Sequence, residues 1–335
     1  MEHRTSLTDV SVIVLNWNGS HLTVPCLESL IRSKSLPRRI IVCDNGSTDK
    51  STDHILNWAR TRFPEKRISI LGEGSPSPGA SSAPFVLIKN NANLGFAAGN
   101  NSGIRVAVEW GSDFVWLLNN DTLVHSDALG ALLRCADQKK SAGVFGSTVV
   151  HMDDPFRLQC AGGCRYFPLS TVFKPLYGGR GLHEIAYLPE PRLDYVFGAS
   201  FFARTDVFRK VGFLNEDFFL FYEEMDFCRR ARRAGYDLAW CRPSIVLHKG
   251  SASLSGIGPS TPVSAAWVTY FETLSTLHYT RLHHPAFLPW VMTFRLLSKV
   301  VVLVAQKKPA LLMRALMKAF EDFVSPRPIH RARSK

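Results

Sequence analysis

An α/β fold built on a mostly parallel, Rossmann-like sheet flanked by helices is predicted by three observations. Apolar, β-branched runs alternate with stretches of helical periodicity through the first 120 residues. A polar cluster stands at the carboxyl end of each run, where open α/β sheets bind ligands. The chain has 335 residues, 46% apolar and 20% charged, which supplies a core and excludes wholesale disorder.

The elements follow in order. Residues 10–15 (VSVIVL) read as a buried parallel strand that ends in the turn residues Asn16-Trp17-Asn18-Gly19. Residues 22–32 have helical spacing through Leu22, Cys26, Leu27, Leu30 and Ile31, and Pro37 closes that helix. Residues 40–43 form a second strand that runs into Asp44-Asn45-Gly46-Ser47-Thr48-Asp49, and 51–61 a second helix. A Gly/Ser/Pro-rich surface loop covers 72–84. The third strand is 85–88, a helix with a Gly/Asn-rich start is 95–110, and the fourth strand, 114–118, ends in Asn119-Asn120-Asp121. In the second half, 195–202 reads as one strand with Gly198 inside it, and 205–211 as a short helix ended by Gly212. Residues 223–234 read as a helix with acids in its first turn, and 245–247 as a strand before His248. From about 264 the chain is helical, and no internal repeat is present.

Net charge is +12, and residues 285–335 hold ten Lys/Arg against two Asp/Glu, an excess of eight. That charge is spread thinly and lacks interleaved stacking aromatics, so nucleic acid is not an expected partner. The seven cysteines are odd in number and contain no C-x-x-C, which suits buried thiols in a reducing compartment. Cys160 and Cys164 have no second pair with which to build a metal cage. The apolar stretch at 10–15 is too short for a signal peptide, and no window of ~18 uncharged apolar residues predicts a spanning helix. The segments 290–306 and 310–323 are apolar but interrupted by Arg295, Lys299, Lys307, Lys308, Arg314 and Lys318. Two readings stand: a buried helical subdomain, or helices on an anionic membrane surface. In the second, Trp290 and the Leu/Val face insert while Arg and Lys stems snorkel, at about 1 kcal/mol of attraction per basic residue, and spanning is not expected because Arg295 and Lys299 fall within the segment.

Several residues carry chemistry. Asp44, at a strand end, suits acceptance of hydrogen bonds from a ribose or base edge, and equally an Asx turn. Asp121 suits a hard divalent cation, with Asn119 two residues earlier, although a polar turn has the same pattern. Asn93, Gly95, Gly99 and Asn100 open a helix whose N-terminus favours a phosphate, without a Walker Lys-Ser/Thr. Glu223 and Asp226 share a helix face, with Glu224 about 100° away. The preceding aromatic run 218–222 suggests burial that would raise a carboxyl toward general-base range. His248 follows a strand, where it is either structural or a ligand.

Taken together, VSVIVLNWNG, VCDNGSTDKS, NLGFAAGNNSGI, WLLNNDT, DYVFGASFFARTDVFRKVGFLNEDFFLFYEEMDFCRRARRAGY and VLHKGSAS stand in the order found in family 2 glycosyltransferases. The chain resembles that family over about 8–255, most closely its rhamnosyltransferase-like branch. The resemblance implies a GT-A domain, with a nucleotide-sugar-binding half at 8–125 and an acceptor and catalytic half at 126–255, followed by a basic helical extension at 264–325. It implies an inverting transfer that needs Mg²⁺ or Mn²⁺, with dTDP-L-rhamnose as favoured donor and a polysaccharide or lipid-linked glycan as acceptor. UDP-linked hexose, N-acetylhexosamine or galactofuranose are the alternative donors, and a catalytically silent nucleotide-sugar-binding partner is the alternative of another class. Glu224 would be the base, with Glu223 and Asp226 beside it. Asp121 and His248 would hold the metal. Asn16, Asn18, Asp44, Asn93, Gly95, Gly99, Asn100, Asn119 and Gly198 would line the substrate. The first acid of the family's Asp-x-Asp is Asn119 here, and the second acid of Glu-Asp-x-Asp is Glu224. The expected location is the cytoplasm, with peripheral attachment to the inner face of the cell membrane as the further reading.

Overall fold

The computed structural model describes residues 8–72, 83–250, 262–304 and 309–325. Most of the loop expected at 72–84, and the domain end expected at 255, lie outside the described residues.

Strand β1 (Val10–Asn16) is apolar at nearly every position because both its faces are covered. Ile13 points into one core, while Val12 and Val14 point into the other. Parallel partners lie on both sides: β2 (Arg39–Asp44) on one, β5 (Phe114–Asn119) on the other. Beyond β2 come β4 (Phe85–Lys89) and the edge strand β3 (Ile68–Gly72), which the sequence pattern does not reveal. Of its five residues only Leu71 is buried, so the short run Ile68-Ser69-Ile70-Leu71 does not stand out as a core strand.

Helices α1 (Ser20–Ile31) and α2 (Ser51–Arg62) cover one face, and α3 (Gly95–Glu109) the other. Each apolar run and helix expected in this half is present, with ends shifted by one or two residues. Residues 126–194, for which the sequence pattern names no element, add α4 (Ala128–Gln138) and four strands, β7 (Ala142–His151), β8 (Leu158–Ala161), β9 (Gly163–Phe167) and β10 (Val172–Pro175).

The strand expected at 195–202 divides into β11 (Tyr195–Val196) and β12 (Ser200–Arg204). They serve different sheets: β11 pairs with β9, and β12 inserts antiparallel between β5 and β7. Next come α5 (Thr205–Val211), α6 (Glu223–Arg233) and β13 (Asp237–His248). The last is far longer than the expected 245–247. Its ladder with β7 shifts register between Cys241 and Ile245, around Pro243, which has no N–H to donate. The short β6 (Thr122–Val124) closes the ten-stranded sheet against β13, while β10, β9 and β11 form a separate three-stranded sheet. All seven cysteines are buried and unbridged.

Three helices follow: α7 (Pro262–His283), α8 (Leu288–Val304) and α9 (Pro309–Val324). They share a small core of Leu274, Leu277, Val291, Ala319 and Phe323, and α7 packs on the α/β body. Arg295 does not snorkel. It is buried, ion-paired with Glu272 at 2.9 Å, and donates to Thr171 Oγ1. Its charge is neutralised inside the protein, which corrects the expectation of a stem lying in lipid. Among the described residues no helix is long and apolar enough to cross a membrane.

Packing between the two sheets leaves no room at Gly146, where a Cβ would meet the Gly162 carbonyl oxygen at 1.8 Å. That obstacle is backbone, which cannot swing aside. Gly146→Ala is expected to cost about 3 kcal/mol, read as a lower urea midpoint at unchanged slope. Gly72→Ala, which meets nothing within 4 Å among the described residues, should leave the midpoint within about 0.5 kcal/mol of wild type.

Candidate active site

The chain leaves β1 for β2 on one side and reaches β5 on the other, so a crevice opens at the carboxyl edge of these strands. Register places Asn16 beside Asp44, and Leu15 beside Asn119. Asn16 is buried; its Nδ2 donates to Asp44 Oδ1 at 2.8 Å, and its Oδ1 accepts from Thr23 at 2.7 Å. Asp44 also accepts from the Ser47 hydroxyl at 2.6 Å and the Ser47 amide at 3.1 Å. Asn18, at φ +48°, accepts from the Thr48 amide at 2.8 Å. These bonds hold the 44–49 loop rigid. Among the described residues Asp44 Oδ2 accepts from the Ser47 amide alone, so it keeps acceptor capacity.

The start of α3 is built differently from the expectation. Asn93 Oδ1 accepts from Asn45 Nδ2 at 2.9 Å and from the Gly95 amide at 3.0 Å. The Phe96 amide donates to the Phe219 carbonyl at 2.7 Å. Gly95 sits at φ +81°, with that carbonyl where its Cβ would be. Gly99 lets Leu15 and Asn45 approach, and Asn100 Nδ2 bonds back to the Phe96 carbonyl at 2.9 Å. The Gly95 and Phe96 amides, read in the sequence as part of a phosphate cradle, are thus spent on fastening loops. Asn45 is the hub of that fastening, and the sequence offers no signal for it beyond turn composition.

Asp121 and His248 do come together. Asp121 lies in the turn between β5 and β6, His248 ends β13, and β6 pairs with β13. His248 Nε2 is 3.3 Å from Asp121 Oδ1. The side chain of Gln159 on β8 orients the ring, with Nε2 donating to the His248 carbonyl at 2.8 Å and Oε1 facing Nδ1 at 2.8 Å. A proton on Nδ1 would satisfy Gln159 Oε1 and turn the Nε2 lone pair toward the carboxylate oxygen, as a metal-ligating imidazole requires. In that tautomer two electron-pair donors are aimed at each other and fit a shared cation. One carboxylate and one imidazole make an incomplete cage, and the described residues hold no cluster of three or more His, Cys, Asp or Glu side chains for a metal. The remaining ligands would be phosphate oxygens and water, as is usual for Mg²⁺. Asn119 lies half-buried beside this turn, and its carbonyl accepts from Thr122 at 2.7 Å.

The acids at the start of α6 separate into two roles. Asp226 is buried between Arg230 Nε at 2.8 Å and His283 Nε2 at 2.7 Å. Burial works to raise its pKa, but the His283 hydrogen bond and the Arg230 charge outweigh it and hold the carboxyl below its ordinary value. Its oxygens are committed to fastening α7. Glu223 is buried, with Oε2 lacking a partner; burial, then the Glu224 charge, pushes its pKa well above the usual range. Glu224 is half-buried and raised by burial, which its own backbone amide and Glu223 partly oppose. Its carboxylate rests on Gly198, where a Cβ would stand 1.9 Å from Oε1. Phe221 (φ +70°) and Tyr222 (φ +74°) lead into the helix in left-handed conformations that are costly for bulky residues. Helix α7 holds them there: Ser275 donates to the Leu220 carbonyl at 2.8 Å and Thr276 to the Tyr222 hydroxyl at 3.0 Å.

With this geometry in place, the sequence profile described as "Glycosyltransferase like family 2" matches residues 8–260. The chain belongs to this family. It is a glycosyltransferase of the GT-A type. It is 24% identical over 254 residues to the low-salt glycan biosynthesis hexosyltransferase Agl10 of Haloferax volcanii, covering 73% of this chain and 68% of that one. It is 24% identical over 302 residues to the N-acetylglucosaminyl-diphospho-decaprenol L-rhamnosyltransferase of Mycobacterium tuberculosis, covering 81% and 86%. It is 27% identical over 207 residues to the galactofuranosyltransferase GlfT1 of Mycolicibacterium smegmatis, covering 60% and 63%. Among solved structures, the mannosyltransferase PcManGT of Pyrobaculum calidifontis, in complex with GDP-Man and Mn²⁺, shares the fold at TM-score 0.52 and 15% identity, covering 96% of this chain and 88% of that one. No single branch of the family dominates these relatives, so rhamnosyltransferase is not singled out.

Two expectations follow. Gly198→Ala forces the Glu224 carboxylate, the far end of a flexible side chain, off its seat. The melting temperature should hardly move, while kcat for glycosyl transfer falls about 10²-fold, as a misplacement near 1 Å can cost. Glu223 makes stability depend on pH. Between its ordinary pKa of 4.5 and its raised folded value, the folded state binds more protons than the unfolded state. Its contribution is therefore full below 4.5 and is lost as pH rises. Thermal unfolding of Glu223→Gln should show a gain over wild type that grows from pH 5 to pH 8.

Proposed function

We propose that this glycosyltransferase moves a sugar from a nucleotide-sugar donor to a hydroxyl of a glycan or glycolipid in one displacement that inverts the anomeric carbon. The observation that carries the reading is Glu224, a carboxylate with raised pKa, seated on Gly198 and next to a buried second carboxyl. Glu224 takes the proton of the attacking acceptor hydroxyl. Glu223 holds a proton of its own, so the pair carries one charge rather than two. Asp44 Oδ2 faces the nucleoside of the donor, on a loop kept rigid by Asn16 and Asn18. Asp121 and His248 are the residues that would hold Mg²⁺ or Mn²⁺, whose chemistry when bound is to neutralise the departing diphosphate. Gln159 keeps the His248 ring turned toward Asp121.

The donor is a dTDP- or UDP-linked sugar. L-Rhamnose, galactofuranose and a hexose stand level as the transferred sugar, since relatives named as transferases of each match this chain at similar identity.

A donor panel of dTDP-L-rhamnose, UDP-galactofuranose, UDP-N-acetylglucosamine and UDP-glucose, each with Mn²⁺, tests the reading. One donor should give turnover with an inverted anomeric centre by NMR. Glu224→Gln should lower kcat about 10³-fold and leave donor affinity nearly intact. Retention of configuration, or wild-type kcat in Glu224→Gln, would remove Glu224 as the base. Donor binding without turnover on any acceptor would favour a silent nucleotide-sugar-binding partner.

A further inference from the structure

A second surface, outside the transfer site, joins the small sheet to the C-terminal helices. Strands β9 and β10 form a hairpin whose turn carries Leu169, 54% exposed. Phe167 and Val172 are direct cross-strand partners and both about half exposed. Their neighbour Tyr166 points to the other face, into the rings of Tyr222 and Tyr279. Against the turn lies α8. Trp290 (56% exposed), Phe294 and Leu297 (62% exposed) follow at i, i+4 and i+7 and make one stripe, with the Trp290 and Phe294 rings stacked at 6.1 Å. Val291 and Arg295 are buried.

Two contacts lock hairpin and helix together. Trp290 Nε1–H donates to the Leu169 carbonyl at 3.0 Å, and Arg295 Nη1–H donates to Thr171 Oγ1 at 3.3 Å. The tryptophan thus has its polar atom satisfied while its ring stays exposed, an arrangement suited to a membrane interface. The result is one continuous apolar surface rather than scattered exposed side chains.

Charge identifies the occupant. Of the ten basic residues in 285–335, Arg295 is spent on Glu272, and Lys318 faces Glu321 and Asp322, the two acids of the stretch. Counting Glu272 with the stretch, ten basic residues stand against three acids, an excess of seven positive charges by sequence. A second copy of the chain would bring the same positive excess against this one. An anionic bilayer brings the opposite charge, together with an apolar boundary for the rings.

We propose that the β9–β10 hairpin and the Trp290–Phe294–Leu297 stripe form a joint docking surface for an anionic lipid bilayer. The hairpin supplies a wedge, the helix lies alongside it, and the positive excess of residues 285–335 draws the surface to anionic headgroups. The small sheet also ties this surface to the transfer site, because β11 pairs with β9 and runs on to Gly198, on which Glu224 rests. Docking there would present the base to an acceptor carried by the membrane. That last step rests on the proposed function, whereas the docking itself does not.

The test is sedimentation of the full chain with vesicles of phosphatidylglycerol and phosphatidylcholine in equal parts, and of phosphatidylcholine alone, at low and high salt. Wild type should sediment with the anionic vesicles, and high salt should release much of it. The double variant Leu169→Asp/Leu297→Asp should lose at least tenfold in partitioning at unchanged melting temperature. If that variant melts early, Leu297→Ser alone should still weaken partitioning, since it adds no charge beside the hairpin. Wild type that ignores anionic vesicles at low salt overturns the proposal, as does a stable variant that sediments like wild type. A variant that turns a dimer into a monomer on size exclusion, with vesicle binding unchanged, also overturns it and assigns the surface to a second copy. Donor binding, measured separately, keeps failure of docking distinct from failure of the transfer reading.

Discussion

The ion cluster of Asp226 with Arg230 and His283 is the constraint on which the second half of the molecule depends. Removing a carboxylate from water costs several kcal/mol, and only close, hydrogen-bonded partners offset that cost. Asp226 has one from its own helix and one from the end of α7. Arg230 also donates to the carbonyls of Val211 and Phe213, which ties α5 into the same cluster. The C-terminal helices are therefore not an appendage. Their first helix grips the segment that leads into the acidic helix, through Ser275 and Thr276, and stacks Phe271 on Phe219 at 4.4 Å. Phe219 in turn closes the start of α3. One helix thus braces both sides of the crevice.

That bracing explains how strain persists beside the acids. Two consecutive bulky residues in the left-handed region cost of order 1–3 kcal/mol each and survive only where the surroundings over-determine them. Here they turn the chain so that α6 begins with Glu223 inside and Glu224 against Gly198. A carboxyl pair with one member fully buried shares a charge between neighbours, and the half-buried member meets the solvent side. The Asp121–His248 pair stands at the other end of the same logic, with Gln159 orienting the imidazole ring from a strand that no local pattern announces.

The sequence by itself determined the parallel half of the sheet, because strands buried on both faces must be continuous apolar runs and the helices between them must show a 3.6-residue period. It also determined where the polar clusters lie, since loops at strand ends need turn residues. Asp121 and His248 were legible for that reason, and Glu224 because acids at a helix start follow an aromatic run. The tertiary structure alone decided what those groups touch. Asp226, two residues after Glu224 in the motif, is spent on His283, fifty-seven residues away. The amides of Gly95 and Phe96, apt for a phosphate by local chemistry, are taken by Asn93 and by the carbonyl of Phe219. Arg295, a candidate for snorkelling by position in an apolar helix, is buried on Glu272. β3, β9 and β10 exist because long-range partners satisfy their backbone groups, and four or five residues are too few to carry a periodic signal of that pairing. A side chain's capacity to bond is written in its type, but which partner fills that capacity is set by segments far along the chain.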